Sequence, residues 1–356
     1  MRFAKLVPTL VLVGFVVMAC GGSGNGGTTP KKIALLLPES KTARYESKDR
    51  PFFTDKLKAL CSDCQLIYSN ANQDAPTQQT QAEAALTNGA NVLVLDPVDG
   101  AAAAAIVAKA KAKNVPVVSY DRLILGTADL NYYLSFDNAA VGALQGTALL
   151  TALNGKANAS VVMINGDPAD NNAKLFKQGA HSILDGKVQI KKEYDTPSWS
   201  PDTAQKEMAG ALVALGNKVD GVLAANDGTG GGAIAAMKAA GVKPLPPVTG
   251  QDAELAAIQR ILAGDQYMTV YKAIKAEAEA AATLAYDLAT GTAVPTSMTN
   301  GKTVNNGAKD IPSVLLTPVA VTKANIKDTV VADGFWTKAD ICTADFATAC
   351  TAAGIS

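Results

Sequence analysis

An excess of charge is the first thing this sequence lacks. Its 356 residues carry 32 Lys+Arg against 32 Asp+Glu, a formal net charge of zero. A nucleic-acid partner needs a basic face that displaces counterions from phosphates, and nothing in this balance favours one. Histidine is nearly absent: His181 stands alone, inside a predicted helix, and there is no G-x-S-x-G elbow. A hydrolase needs a nucleophile with a neighbouring base, and no such pair is visible. No His/Cys/Asp cluster has metal-ligand spacing, so neither a metal nor a cofactor is expected. A membrane-spanning run is missing at the N-terminus, where the apolar stretch 6–18 falls short of the roughly 20 residues a spanning helix needs. Apolar residues still make up 48% of the chain, enough for sizeable cores, and length suggests two domains.

What stands at the N-terminus is a targeting segment. Arg2 and Lys5 precede the apolar stretch, which ends in Val17-Met18-Ala19-Cys20. Small residues before a cleavage point mark a signal peptide. A Cys directly after them resembles a bacterial lipobox. Residues 1–19 are therefore expected to be the signal peptide, and residues 20–31, glycine-rich from Gly21 to Gly27, a flexible tether held by lipidated Cys20. The expected location is the outer face of the cell membrane, periplasmic or cell-surface. Four cysteines remain, and an exported chain permits two disulfides, paired here between near neighbours as Cys61 with Cys64 and Cys342 with Cys350. The competing reading of Cys61-Ser62-Asp63-Cys64 is a redox or zinc motif, but no second CxxC and no nearby His support it.

From residue 32 onward, short apolar runs alternate with amphipathic stretches. Runs at 33–37, 65–69, 91–95, 116–120 and 132–136 read as strands, with helices over 49–60, 77–88 and 101–112 between them. A second series follows, with strands near 160–164, 188–194, 221–225, 248–250 and 267–270. Continuous apolar runs of this length suit parallel strands buried on both faces, and the alternation with helices implies an α/β fold of two doubly wound, Rossmann-like lobes. The lobes join near Asp137. A long Ala-rich helix at 273–288 and late strands at 314–316 and 319–321 predict that each lobe is discontinuous: 32–138 plus 273–312 for the N-terminal lobe, 139–272 plus 313–345 for the C-terminal one. The tail after Asp333 is too short to be a domain.

In open α/β sheets, ligands bind at the carboxyl ends of strands. The polar residues there include Lys41, Arg44, Tyr45, Asp121, Arg122, Asp170, Asn172, Trp199, Asn226, Gln251, Asp252 and Lys272. Lys41, Arg44, Arg122 and Lys272 nearly balance Asp121, Asp170 and Asp252, which favours a neutral polyol over a phosphate. Hydroxyls donate and accept, so carboxylates, amides and cations together match them, while an aromatic ring covers an apolar sugar face. The plainer reading of Asp121, Asp227 and Asp252, and of Asn171 and Asn172, is as helix caps, and of Trp199 as core.

Several of these residues sit in specific motifs: Tyr120-Asp121-Arg122, Ser135-Phe136-Asp137-Asn138, Asp170-Asn171-Asn172-Ala173-Lys174-Leu175-Phe176, Gly250-Gln251-Asp252-Ala253 and Met268-Thr269-Val270-Tyr271-Lys272. Through them the chain, from residue 32 to about 336, resembles the periplasmic sugar-binding proteins of ABC transporters, within them most closely the D-xylose binders. That resemblance implies the type I periplasmic-binding fold, with a three-strand hinge and a monosaccharide held between the lobes. It implies polar sugar contacts from Lys41, Arg44, Asp121, Arg122, Asp170, Asn172, Asn226, Asp252 and Lys272, and a ring sandwiched by Tyr45 and Trp199. It also implies an ABC permease as partner of a monomeric, non-catalytic protein. The first loop departs from the family pattern, being one residue longer between Tyr45 and Lys48, with Tyr45 in place of a Trp. A sugar sensor working with a membrane receptor would use the same chemistry. Two enzyme readings compete. Gly228-Thr229-Gly230-Gly231-Gly232-Ala233 fits a dinucleotide-binding G-x-G-x-x-A followed by Asp252, as in a nicotinamide enzyme. Paired carboxylates among Asp121, Asp170 and Asp252 would suit a glycosidase.

Overall fold

The parallel strands arise where apolar runs leave no polar face. The structure, a computed structural model, describes Met1 and residues 29–355; the expected signal peptide, Cys20 and nearly all of the tether lie outside the described residues. In the first lobe, strands β1 (Lys32–Leu37), β2 (Gln65–Asn70), β3 (Val92–Leu95), β4 (Val117–Tyr120) and β5 (Tyr132–Phe136) alternate with helices α1 (Arg50–Leu60), α2 (Ala75–Thr87) and α3 (Ala104–Ala112). Side chains of β1 divide between two cores. Ile33, Leu35 and Leu37 pack on one sheet face, and Ala34 and Leu36 on the other, the burial that a doubly covered parallel sheet requires.

The second lobe contains α4 (Asn138–Leu153), β6 (Ser160–Asn165), α5 (Asn171–Leu184), β7 (Gln189–Asp195), α6 (Pro201–Leu215), β8 (Gly221–Ala224), α7 (Asp227–Ala239), α8 (Leu255–Ala263) and β9 (Met268–Tyr271). The chain then returns to the first lobe through α9 (Ile274–Thr290), β10 (Thr303–Asn305) and β11 (Asp310–Leu316), and back to the second through β12 (Val319–Thr322). The first sheet has the order β10-β11-β5-β4-β3-β1-β2. It is parallel except for edge strand β10. The second runs β7-β6-β8, and isolated parallel bridges at Val248 and Gln251 carry it on to β9, which pairs antiparallel with β12. The expected strand at 248–250 is reduced to those bridges.

The fold is thus two α/β lobes, linked by the connections after Phe136, Tyr271 and Leu316. One boundary needs correction. Residues 313–316 were assigned to the C-terminal lobe, yet Ser313–Leu316 pairs with Tyr133–Phe136 of β5 in the first sheet. Strand β11 runs unbroken from Asp310, and the crossing falls at Thr317-Pro318, where proline removes a ladder donor.

Both expected disulfides are present, Cys61–Cys64 at the end of α1 and Cys342–Cys350 in the C-terminal tail. The CxxC sulfurs are therefore bonded to each other and not to a metal. Ile341, Cys350 and Ile355 of the tail bury against Ile258, Ile261 and Leu262 of α8. Among the described residues no helix is long and apolar enough to cross a membrane.

Candidate functional site

The carboxyl ends of the two sheets face each other across a closed cleft. Its lining is Thr42, Arg44, Tyr45, Asp121 and Arg122 from the first lobe, Asp170, Asn172, Phe176, Trp199, Asn226, Gln251 and Asp252 from the second, and Lys272 from a hinge segment. None of these side chains is more than 5% exposed. The empty space among these side chains, part of it open to solvent, is about 250 Å3.

The first-lobe wall is built by the turn after β1. Glu39 is buried there and its carboxylate accepts the backbone N–H groups of Lys41 and, at 3.0 Å, Thr42. That turn sends Thr42 into the cavity and Lys41 outward. Lys41 is exposed and does not line the cavity, a correction to the expected ligand set. Arg44 follows, and a π-helical turn over Tyr45–Asp49 brings back a carboxylate to hold it. Its guanidinium donates to both Asp49 oxygens (2.9 and 2.6 Å), to Glu277 Oε2 of α9 (2.6 Å) and to Asp121 Oδ1 (3.3 Å). Tyr45 donates its hydroxyl to Asp121 Oδ2 at 3.0 Å.

Asp121, Trp199 and Asp252 have φ of +52°, +52° and +90°. Non-glycine residues rarely occupy this region, and such backbones cluster where a side chain must be aimed at a ligand. In the second lobe Asp170 does two things. Its Oδ1 caps α5 by accepting Asn172 N–H at 2.8 Å, and its Oδ2 accepts Trp199 Nε1 at 3.2 Å and lies 3.0 Å from Arg122 Nε. Asn226 likewise caps α7, through Thr229 N–H at 2.9 Å. Both residues thus cap a helix and line the cavity. Asn172 spends its amide on protein, donating to the Asp121 carbonyl (2.9 Å) and accepting from Asn138 (2.9 Å), so it ties the lobes together. The Trp199 indole lies on Gly166, where a Cβ would come within 2.0 Å of the ring. Phe176 meets it edge-on at 6.3 Å.

Arg44, Arg122 and Lys272 face Asp121, Asp170 and Asp252, so the cavity is charge-balanced. Lys272 Nζ lies 3.1 Å from Asp252 Oδ1 and 3.8 Å from Asp121 Oδ1. Burial raises the Asp121 carboxyl, but Arg44, Lys272 and Arg122 outweigh it and hold the group well below the usual carboxylate range. Burial pushes Asp170 up to about 6, with Arg122 offsetting only part. Behind the cavity, burial lifts Asp227 to about 7, and burial followed by the Asp227 and Asp252 charges lifts Glu254 to about 8. These three carboxyls retain protons in the native state that the unfolded chain has lost, so the native state binds more protons from about pH 4 upward and stability must fall as pH rises. The expected result is a Tm lower at pH 8 than at pH 5 by at least about 5 °C, read by differential scanning calorimetry. A Tm that rises over that interval overturns the assignment.

Of the buried lining atoms, Gln251 Oε1 has neither a hydrogen-bond nor an ion-pair partner among the described residues, whereas Arg122 Nε and Asp252 Oδ1 are held in ion pairs with Asp170 and Lys272. Such an atom costs about 1–3 kcal/mol when left unpaired. A free amide oxygen in a charge-balanced space lined by carboxylates, amides and cations matches a neutral molecule bearing hydroxyl groups. The carboxylates are already engaged with cations, which leaves no free set for a metal. The glycine run is also resolved: Gly228 to Gly232 lie inside the first turns of α7, with no phosphate-cradling loop. At Gly232 a Cβ would come within 2.3 Å of the Pro201 carbonyl, so its role is close packing of α7 on α6.

Three lining residues were absent from the expected sugar contacts. Thr42 lies in the loop already singled out. Gln251 adjoins Asp252. Phe176 is four positions after Asn172 on α5, and that spacing places both on one helix face.

The chain was compared with known families, proteins and structures. A family model described as a periplasmic binding protein domain matches residues 33–293. The D-xylose-binding periplasmic protein of Escherichia coli K12 is 40% identical over 87% of this chain and 92% of its own length. The Haemophilus influenzae protein of the same name is 37% identical over 93% and 97%. A solved ABC transporter solute-binding protein from Clostridium phytofermentans, holding β-D-glucose, superposes with a TM-score of 0.81 at 30% identity, covering 87% of this chain and all of that one. These relatives bind solutes and are not enzymes, which removes the nicotinamide-enzyme and glycosidase readings. With its two lobes, three crossings and enclosed interlobe cavity, the chain belongs to the periplasmic binding protein family.

Proposed function

We propose that the chain captures one neutral aldose, D-xylose, between its lobes and delivers it as a monomer to an ABC-type permease. The observation that carries this reading is the closed, charge-balanced cavity lined by ion-paired Asp, Arg and Lys side chains with the unpartnered Gln251 Oε1. The names of the two relatives support D-xylose, and the β-D-glucose in the solved neighbour supports the wider aldose class. Tyr45 and Trp199 both line the cavity, which supports a ring held between them. Contacts from both lobes bind the closed state better than an open one, so solute shifts the population toward closure. The Val17-Met18-Ala19-Cys20 motif supports export and lipid attachment through Cys20; the mass of the mature N-terminal peptide tests that part.

The main test is a thermal-shift panel of D-xylose, D-glucose, D-ribose and L-arabinose. A ligand that binds only the folded state at about 100 times its Kd stabilises by about 2.7 kcal/mol, a rise of about 4 °C for a chain of this size. D-xylose is expected to give the largest rise. If D-glucose gives a larger one, the pentose assignment fails, and if no aldose moves Tm, the sugar reading fails.

A further inference from the structure

The lobes also meet at a point the solute cavity does not use. Lys48 lies in the first-lobe π-helical turn that carries Tyr45. Its ammonium donates to the Phe335 carbonyl at 2.5 Å. It sits 3.6 Å from the centre of the Trp336 ring and 4.7 Å from that of Phe335. Phe335 and Trp336 open the C-terminal tail, and the second-lobe core holds both: Phe335 meets Tyr271 edge-on at 5.2 Å, and Trp336 Nε1 donates to the Ala253 carbonyl at 2.8 Å. Ala253 follows Asp252 directly. Each end of the contact thus adjoins a cavity-lining side chain, Tyr45 on one lobe and Asp252 on the other. A cation over an indole face, partly shielded from water, is a directional attraction that lapses if the ring moves away.

We propose that Lys48 and Trp336 form a clasp that favours lobe closure independently of solute, and so lengthens the residence of whatever the cavity holds. Lys48 and Trp336 are positioning residues and do not touch the solute. The part about residence rests on the solute-binding reading; the part about closure does not. A contact that raises the closed fraction strengthens apparent affinity by the same factor, and a cation–aromatic pair of this kind corresponds to roughly 3- to 30-fold.

The test is Lys48→Met, which keeps the apolar stem and removes the charge, alongside Lys58→Met on α1, an exposed lysine, as control. Small-angle scattering of the solute-free protein is expected to show a larger radius of gyration for K48M than for wild type or K58M. With the aldose that raises Tm most, koff is expected to rise by roughly 3- to 30-fold with kon nearly unchanged, and Lys48→Arg is expected to restore both readings. Wild-type scattering and wild-type koff in K48M overturn the clasp. Should K48M not fold, Trp336→Leu replaces it, with the same expected and overturning results. Should no aldose bind wild type, the solute-free scattering alone decides for or against the clasp, while the failure falls on the sugar reading.

Discussion

Asp252→Ala is expected to weaken solute binding by about 30- to several-thousand-fold, the range for truncating one partner of a buried, hydrogen-bonded charge pair. Two effects add. Lys272 loses its nearest carboxylate at 3.1 Å and keeps only Asp121 at 3.8 Å, already shared with Arg44. The cavity also turns net positive and loses a carboxylate that lines it. Isothermal titration with the preferred aldose measures the loss, and near-wild-type affinity removes Asp252 from the site. Asp252→Asn keeps the shape and one acceptor, so it should fall between the two.

Arg44→Met is expected to act chiefly on stability. The guanidinium is 3% exposed and touches Asp49, Asp121 and Glu277. Its removal leaves three buried carboxyls with Lys272 near only one of them, and breaking such a set costs about 3–5 kcal/mol. For a chain of this size, at about 2.1 cal/mol/K of unfolding entropy per residue, that lowers Tm by about 4–7 °C. Asp121, now held down mainly by Lys272 and Arg122, rises toward the range of its buried neighbours. A raised native carboxyl is stabilising at low pH and loses that contribution as pH rises through its new value. The deficit of the variant should therefore be smaller at pH 5 than at pH 7.5 when both are followed by calorimetry. A Tm within about 2 °C of wild type at pH 7.5 would show that the carboxyls find other partners.

The alternation of strands and helices was legible because buried parallel strands are written as unbroken apolar runs, as in Ile33 to Leu37. Where the run is mixed, legibility fails. Strand β11, reading Asp-Ile-Pro-Ser-Val-Leu-Leu, has no clean apolar pattern, and its lobe was misassigned although Pro318 marks the true break. In the site, residue type was more legible than direction. Lys41 carries the expected chemistry and points outward because Glu39 gathers the two backbone N–H groups of that turn, an effect that propensity does not encode. Asp170 and Asn226 cap helices and line the cavity at once. A short polar side chain at a helix start spends one oxygen on the backbone and has another atom to offer. The clasp could not be read at all, since Lys48 and Trp336 are joined only by the tertiary fold.

The crossing at Thr317-Pro318 also governs the order in which the molecule is made. Strand β5 cannot be covered on its outer edge until β11 has been synthesised, and the whole second lobe apart from β12 and the tail lies between them. A nascent chain therefore carries an uncovered, apolar strand edge through most of its synthesis, the kind of edge that pairs with other chains. Cutting the gene at Asp137 would not yield two modules. The first fragment would lack α9, β10 and β11, and the second would hold them with no sheet to join. Only a rearranged gene that places residues 273–316 directly after residue 137 would give a first lobe complete in its strands.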